Sequence, residues 1–121
     1  MNAEKDMHER QLIEKAYAAF NQRDIDTIVK IMHPEVKWSR AWEGDYANGP
    51  DDVRAYWQRQ WVEIDPNVNP IAFGQTPDGR LKVTVDLMVK DLEGKVLSHG
   101  EVKHLYTFKN GLIAQMDIEQ G

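Results

Sequence analysis

His104-Leu105-Tyr106-Thr107-Phe108-Lys109-Asn110-Gly111-Leu112-Ile113 reads as a strand, a tight turn and the start of a second strand. Aromatic and β-branched residues fill the run, and Asn110-Gly111 accepts the positive φ angles of a hairpin turn. Side chains alternate across a strand, so Val102, His104, Tyr106 and Phe108 share one face. Lys103, Leu105, Thr107 and Lys109 share the other. An ionisable group on an apolar face points to a pocket.

The turn admits two registers. A two-residue Asn110-Gly111 turn sets Phe108 opposite Ile113 and His104 opposite Asp117, a carboxylate able to orient an imidazole. A three-residue Lys109-Asn110-Gly111 turn with a glycine bulge brings Met116 and Ile118 inward instead. Upstream, Leu81, Val83, Val85, Leu87 and Val89 alternate with polar neighbours, the pattern of a half-buried strand. Glu93-Gly94 turns the chain into a long strand from Lys95 to Phe108. Pairing about that turn sets Val85 opposite Val102, Val83 opposite His104 and Leu81 opposite Tyr106, so the two apolar faces coincide. Another strand, Ile71 to Thr76, precedes a Pro77-Asp78-Gly79 turn.

The N-terminal half is helical. Leu12, Ile13, Ala16, Tyr17 and Phe20 recur at helical spacing, in a helix ending near Asn21. Met1 to Glu9 has no apolar period and reads as a flexible lead-in. Asp24 is positioned to cap a short helix carrying Ile25, Ile28, Val29 and Met32, which Pro34 stops. Val36 to Trp38 reads as a short strand and Glu43 to Pro50 as a loop. In a third helix Val53, Tyr56, Trp57, Gln60, Trp61 and Ile64 form one stripe, with Asp51 or Asp52 as cap. Asp65-Pro66 ends it, and Pro66 to Pro70 reads as a rigid connection. The expectation is one α+β domain over residues 1–121, three N-terminal helices packed on the buried face of an antiparallel β-sheet.

Composition narrows the function. A chain of 121 residues with 41% hydrophobic and 29% charged residues suits a single globular core. A net charge of −5 and no basic cluster argue against nucleic acid as a partner. Without cysteine there is no disulfide, thiol nucleophile or thiolate metal site. The charged N-terminus is not a secretory signal, and no run of about 18 apolar residues is present to cross a membrane. A cytoplasmic protein is expected. His8, His33, His99 and His104 lack metal-ligand spacing, no phosphate-cradling glycine loop occurs, and no cofactor is implied.

Three stretches carry a resemblance. Phe20-Asn21-Gln22-Arg23-Asp24-Ile25-Asp26 leads into His33-Pro34-Glu35-Val36-Lys37-Trp38. Gly49-Pro50-Asp51-Asp52-Val53-Arg54-Ala55-Tyr56-Trp57 opens the third helix, and Tyr106-Thr107-Phe108-Lys109-Asn110-Gly111-Leu112-Ile113 spans the hairpin. In order and distance these resemble the SnoaL-like branch of the nuclear transport factor 2-like superfamily. The resemblance implies a strongly curved sheet wrapped round helices, a cystatin-like cone with a deep apolar pocket. It also implies a choice between cofactor-free acid–base enzymes (isomerases, polyketide cyclases, dehydratases, epoxide hydrolases) and non-catalytic binding modules. Pairing of outer sheet faces is common in that family. A homodimer through Met88, Leu97, His99 and Leu105 is therefore expected, with a small apolar molecule as ligand.

His104 falls where ketosteroid isomerase keeps an oxyanion-hole acid, and a histidine there can donate a hydrogen bond or act as acid or base. The alternative is a partly buried histidine satisfied by a neighbouring hydroxyl. The isomerase's helix-one tyrosine aligns with Ala16, beside Tyr17, and its proton-shuttling aspartate aligns near Arg40. Steroid isomerisation by that mechanism is thus not expected. Arg40 shares strand parity with Trp38 and either reaches the pocket mouth or lies in solvent beside Glu43 and Asp45. Asp117 assists His104 in the first register, as in polyketide cyclases, and Met116 lines the pocket in the second. The other expected lining groups are Trp38, Trp42, Tyr56, Trp57 and Gln60, with Trp61, Phe73, Val83, Val102 and Tyr106.

Overall fold

The structure, a computed structural model, describes residues 3–40 and 44–119, with side chains from residue 7 onward. Helix α1 spans Ala3–Asn21 and begins in the stretch expected as a lead-in. Ala3, Glu4, Lys5, Met7, Glu9 and Arg10 are good helix formers even without an apolar period. Ile13, Ala16, Tyr17 and Ala19 of α1 are buried. Helix α2, Ile25–Val29, is capped by Asp24 as expected, its carboxylate accepting from the Thr27 backbone N–H at 3.3 Å.

Pro34 does not stop α2; it lies inside strand β1, Met32–Ser39. There the pairing register shifts between Met32 and Lys37, and an irregular strand tolerates a residue without an N–H. The expected loop after β1 contains a short strand β2, Tyr46–Asn48. Helix α3 runs Pro50–Glu63 with Gly49, at φ 85°, as its cap. The positive φ suits glycine, and Pro50 takes the first turn, where its missing N–H costs nothing. Asp52 does not cap the helix; its carboxylate accepts from the Asn48 backbone N–H at 3.1 Å.

Strand β3, Ile64–Gln75, includes the expected rigid connection, Pro66 to Pro70. It is the sheet's edge, where a proline deprives no neighbour of a ladder bond. Strands β4, Leu81–Asp91, and β5, Val96–Lys109, pair as the sequence implied: Val85 with Val102, Val83 with His104, Leu81 with Tyr106.

The hairpin into β6, Leu112–Ile118, takes its turn from one expected register and its facing from the other. Asn110 (φ 55°) and Gly111 (φ 77°) make a two-residue turn with Phe108 opposite Ile113. A bulge follows, because Thr107 pairs with Gln115 and Ala114 is left over. From there Tyr106 faces Met116, and His104 faces Ile118. Met116 therefore points inward, and Asp117 joins Leu105 on the outer face.

The strands form one curved six-stranded sheet in the order β2-β1-β6-β5-β4-β3. It is not wholly antiparallel, since β1 runs parallel to β6. A loop and α3 lie between β1 and the antiparallel meander, so the first strand reaches the last only by a crossover. Leu105, expected to be open on the outer face, is buried between Lys82 and Asp117. No helix among the described residues is long and apolar enough to cross a membrane.

Candidate functional site

Between the helices and the inner sheet face lies a cavity of about 350 Å³. Helix α1 contributes Ala16, Tyr17 and Phe20, one turn of its apolar stripe, and α3 contributes Tyr56, Trp57 and Gln60. Strand β1 adds Trp38 and Ser39. From the long strands come Leu87 and Val89, Val102 and His104, then Met116 and Ile118. Apart from His104, none of these side chains is an acid or a base that titrates near neutrality.

His104 is 9% exposed. Its Nδ1 shares a hydrogen bond of 2.8 Å with the Tyr17 hydroxyl, which lies 2.7 Å from the Tyr106 hydroxyl. Burial pushes the imidazole down to about 4, because the charged form would lose its water. Burial raises the Tyr17 phenol well above its ordinary range, with the Tyr106 hydroxyl adding to the effect, and raises that of Tyr106. All three groups are therefore neutral at pH 7, and their protons can be arranged in two ways. If Tyr106 donates to Tyr17 and Tyr17 donates to Nδ1, the Nε2 of His104 carries a proton to offer. If Nδ1–H donates to Tyr17 and Tyr17 to Tyr106, Nε2 is an acceptor. Among the described residues Nε2 has no partner, and the ring lies on the cavity wall.

The other polar pole is Gln60, whose amide donates to the Tyr56 hydroxyl at 3.0 Å. Trp57 and Trp38 meet edge to face at 5.2 Å, and Phe20 packs edge-on to Trp57 at 5.3 Å. Such aromatic pairs hold their neighbours in fixed orientations, so the wall is preformed.

The family model of the SnoaL-like domain matches residues 13–116. The chain belongs to the SnoaL-like family. That match takes in both poles of the cavity, from Tyr17 in α1 to Met116 in β6. No curated protein matches the sequence. Among solved structures, an NTF2-like protein of unknown function from Burkholderia pseudomallei is 21% identical, with 94% of this chain and 91% of that one covered and a TM-score of 0.79. TerC, co-crystallised with polyporic acid, is 22% identical over 94% and 92%, with a TM-score of 0.80. A candidate polyketide cyclase from Xanthomonas campestris pv. campestris is 15% identical over 95% and 91%, with a TM-score of 0.79. At such identities the likeness is one of fold.

Of the site residues expected from sequence, this SnoaL-like chain brings His104, Trp38, Tyr56, Trp57, Gln60, Val102 and Met116 to the cavity. Asp117 is turned away by the bulge at Ala114. It accepts from the Tyr46 hydroxyl, from Arg80 at 3.4 Å and from Gln115 at 2.9 Å, so it cannot orient His104. Arg40 is not on the cavity wall. Its guanidinium grips Asp45 through two hydrogen bonds, at 2.8 and 2.7 Å, and lies 5.9 Å from the centre of the Tyr56 ring.

Val83 is sealed in the core, and Tyr106 is not on the cavity wall but packs against Trp38 and His104 and holds the Tyr17 hydroxyl. Trp61 packs outside the wall against Phe20, with the Arg23 guanidinium 4.9 Å from its ring. Phe73 lies beneath Arg10, at 4.5 Å. Trp42 lies outside the described residues. Tyr17 is the functional group that sequence reasoning missed. It sits on the helical stripe of Ile13 and Phe20, next to Ala16. The stripe itself marked Tyr17 as inward.

Proposed function

We propose that this SnoaL-like domain takes up a small, mostly apolar molecule bearing a carbonyl oxygen and activates it by hydrogen bonding. The chemistry would be cofactor-free, of the isomerase or cyclase type. The observation that carries the reading is the Tyr106–Tyr17–His104 chain, which ends at an Nε2 without a partner among the described residues, on an apolar wall. In the arrangement where Tyr106 donates to Tyr17 and Tyr17 to Nδ1, the neutral imidazole presents Nε2–H as a donor in a site of low dielectric, where a developing oxyanion gains most. Tyr17 and Tyr106 are positioning residues in this scheme, since they relay polarisation and hold the ring. The fold shared with a candidate polyketide cyclase supports the same class, because cyclisation through a carbonyl needs such polarisation.

A second reading, retention without turnover, is favoured by one observation: the cavity wall among the described residues carries no Asp, Glu, Lys or Arg. Incubation with a panel of aromatic and alicyclic ketones, followed by native mass spectrometry and NMR of the His104 ring nitrogens, tests both. A retained ketone that moves the Nε2 resonance is expected. Consumption of a retained ketone supports the enzyme, and its recovery unchanged supports the binding module. A panel that leaves the ring resonances untouched sinks both readings.

Association through the outer sheet face belongs to the same proposal. Leu97 of β5 is 54% exposed there and is an apolar surface of the kind that pairs between copies. Light scattering at micromolar concentration should give a dimer, and a monomer would reject it.

A further inference from the structure

The inner face of β5 loses its side chains stepwise along the cavity. His104 and Val102 line the wall, and the next two inward positions are Gly100 and Ser98. Cross-strand pairing fixes their facing: Gly100 lies opposite Leu87 and Ser98 opposite Val89, both cavity-lining residues. Yet Gly100 and Ser98 are exposed. The wall on this side therefore ends at Val102.

Two ordinary reasons for a glycine inside a strand are missing here. Gly100 does not have the positive φ found at Gly94 and Gly111, so its backbone makes no demand that another residue could not meet. Among the described residues no other chain segment approaches it closely either, because a Cβ placed on Gly100 would have none of their atoms within 4 Å. A strand interior is weakened by glycine, which supplies no side chain to pack. What Gly100 does supply is open space at the end of a cavity whose floor continues over Leu87 and Val89.

We infer that Gly100, with Ser98 beyond it, is the specificity-determining position for length, leaving a doorway through which an apolar tail of the bound molecule extends outward. The inference rests on the cavity being a site for a carbonyl compound, as proposed above. The substrate class is thereby narrowed to molecules with a carbonyl head and an apolar tail longer than the cavity. With the head at His104, the tail runs along Val102 and across Gly100 beside Leu87 and Val89.

The test uses the full chain and alkyl phenyl ketones of increasing chain length, read by quenching of the cavity tryptophans Trp38 and Trp57. In the parent, affinity should rise steadily along the series. In Gly100→Leu it should level off, with the longest ketones weakened at least about tenfold and acetophenone unchanged. Ser98→Leu, on the same face, should give the same tail-selective loss and keeps the inference decidable if Gly100→Leu does not fold. Equal weakening of every ketone, or an unaltered series in both variants, overturns the length role alone. If no ketone binds the parent, the carbonyl reading and this inference fall together.

Discussion

Trp57→Ala is expected to lower stability by about 3–5 kcal/mol, the range for truncating a buried aromatic. Trp57 is 3% exposed and touches three other aromatic rings, Trp38 at 5.2 Å, Phe20 at 5.3 Å and Trp61 at 6.1 Å. It joins α3 to Phe20 of α1 and to Trp38 of β1. Removing the indole costs its transfer free energy and merges a new void with an existing cavity, and the surrounding rings cannot collapse to fill both. Urea denaturation with an unchanged m-value checks the size of the loss. A cost below about 1 kcal/mol would show that the aromatic cluster is not what holds α3 on the sheet.

His104→Phe should leave the fold intact, abolish retention of any carbonyl ligand and change how stability depends on pH. The fold survives because a phenyl suits an apolar face and Tyr17 keeps the Tyr106 hydroxyl, at 2.7 Å, as a partner. In the unfolded parent the imidazole takes its proton near the ordinary value of about 6.5, whereas in the folded chain it does so at about 4. Between those values the unfolded state holds more protons, so stability falls as pH drops from 6.5 towards 4 and levels off below. The shift corresponds to about 3 kcal/mol.

Asp24, Asp45 and Asp78 are held below their ordinary range by hydrogen bonds from Thr27, Arg40 and Thr76, and they too destabilise the fold in acid. The His104 contribution is therefore the difference between parent and variant, measured by denaturation at several pH values. If that difference has no slope between pH 6.5 and 4, the imidazole is hydrated and does not sit on the wall described. A His104→Phe variant that still retains the parent's ligands would remove His104 from the site.

Much of the sheet was legible because alternation has a period of two and the Glu93-Gly94 turn leaves little freedom in register. Val83 met His104 and Leu81 met Tyr106 across β4 and β5 as the pattern required. The helical stripes were equally plain: Ile13, Ala16 and Tyr17 of α1 and Val53, Tyr56 and Trp57 of α3 are buried, whereas Leu12, Phe20, Gln60 and Trp61 are half-buried and Ile64 opens β3. Prolines were misread. Pro34, Pro66 and Pro70 look like breaks in a linear reading, but each sits in a strand. Whether a strand is at an edge, or is irregular at that residue, depends on neighbours far away in sequence.

The site divides the same way. His104, Trp57, Gln60 and Tyr56 could be named from parity and periodicity, since each lies on the inward side of one regular element. Asp117 could not be settled, because a single extra residue reverses every later side chain and Ala114 gives no local sign that it bulges. Tyr17 and His104 are 87 residues apart, and their bond exists only once α1 is laid across β5.

What the sequence by itself determined is the inventory: which faces are apolar, which strands pair, and that an imidazole lies on the buried side. Local conformation and burial follow from near neighbours, and those are written in order along the chain. What only the tertiary structure decided is whom that imidazole meets. Packing put two hydroxyls behind His104 and turned a carboxylate away from it, and so left it neutral, because desolvation and hydrogen bonding are properties of surroundings assembled from distant parts of the chain.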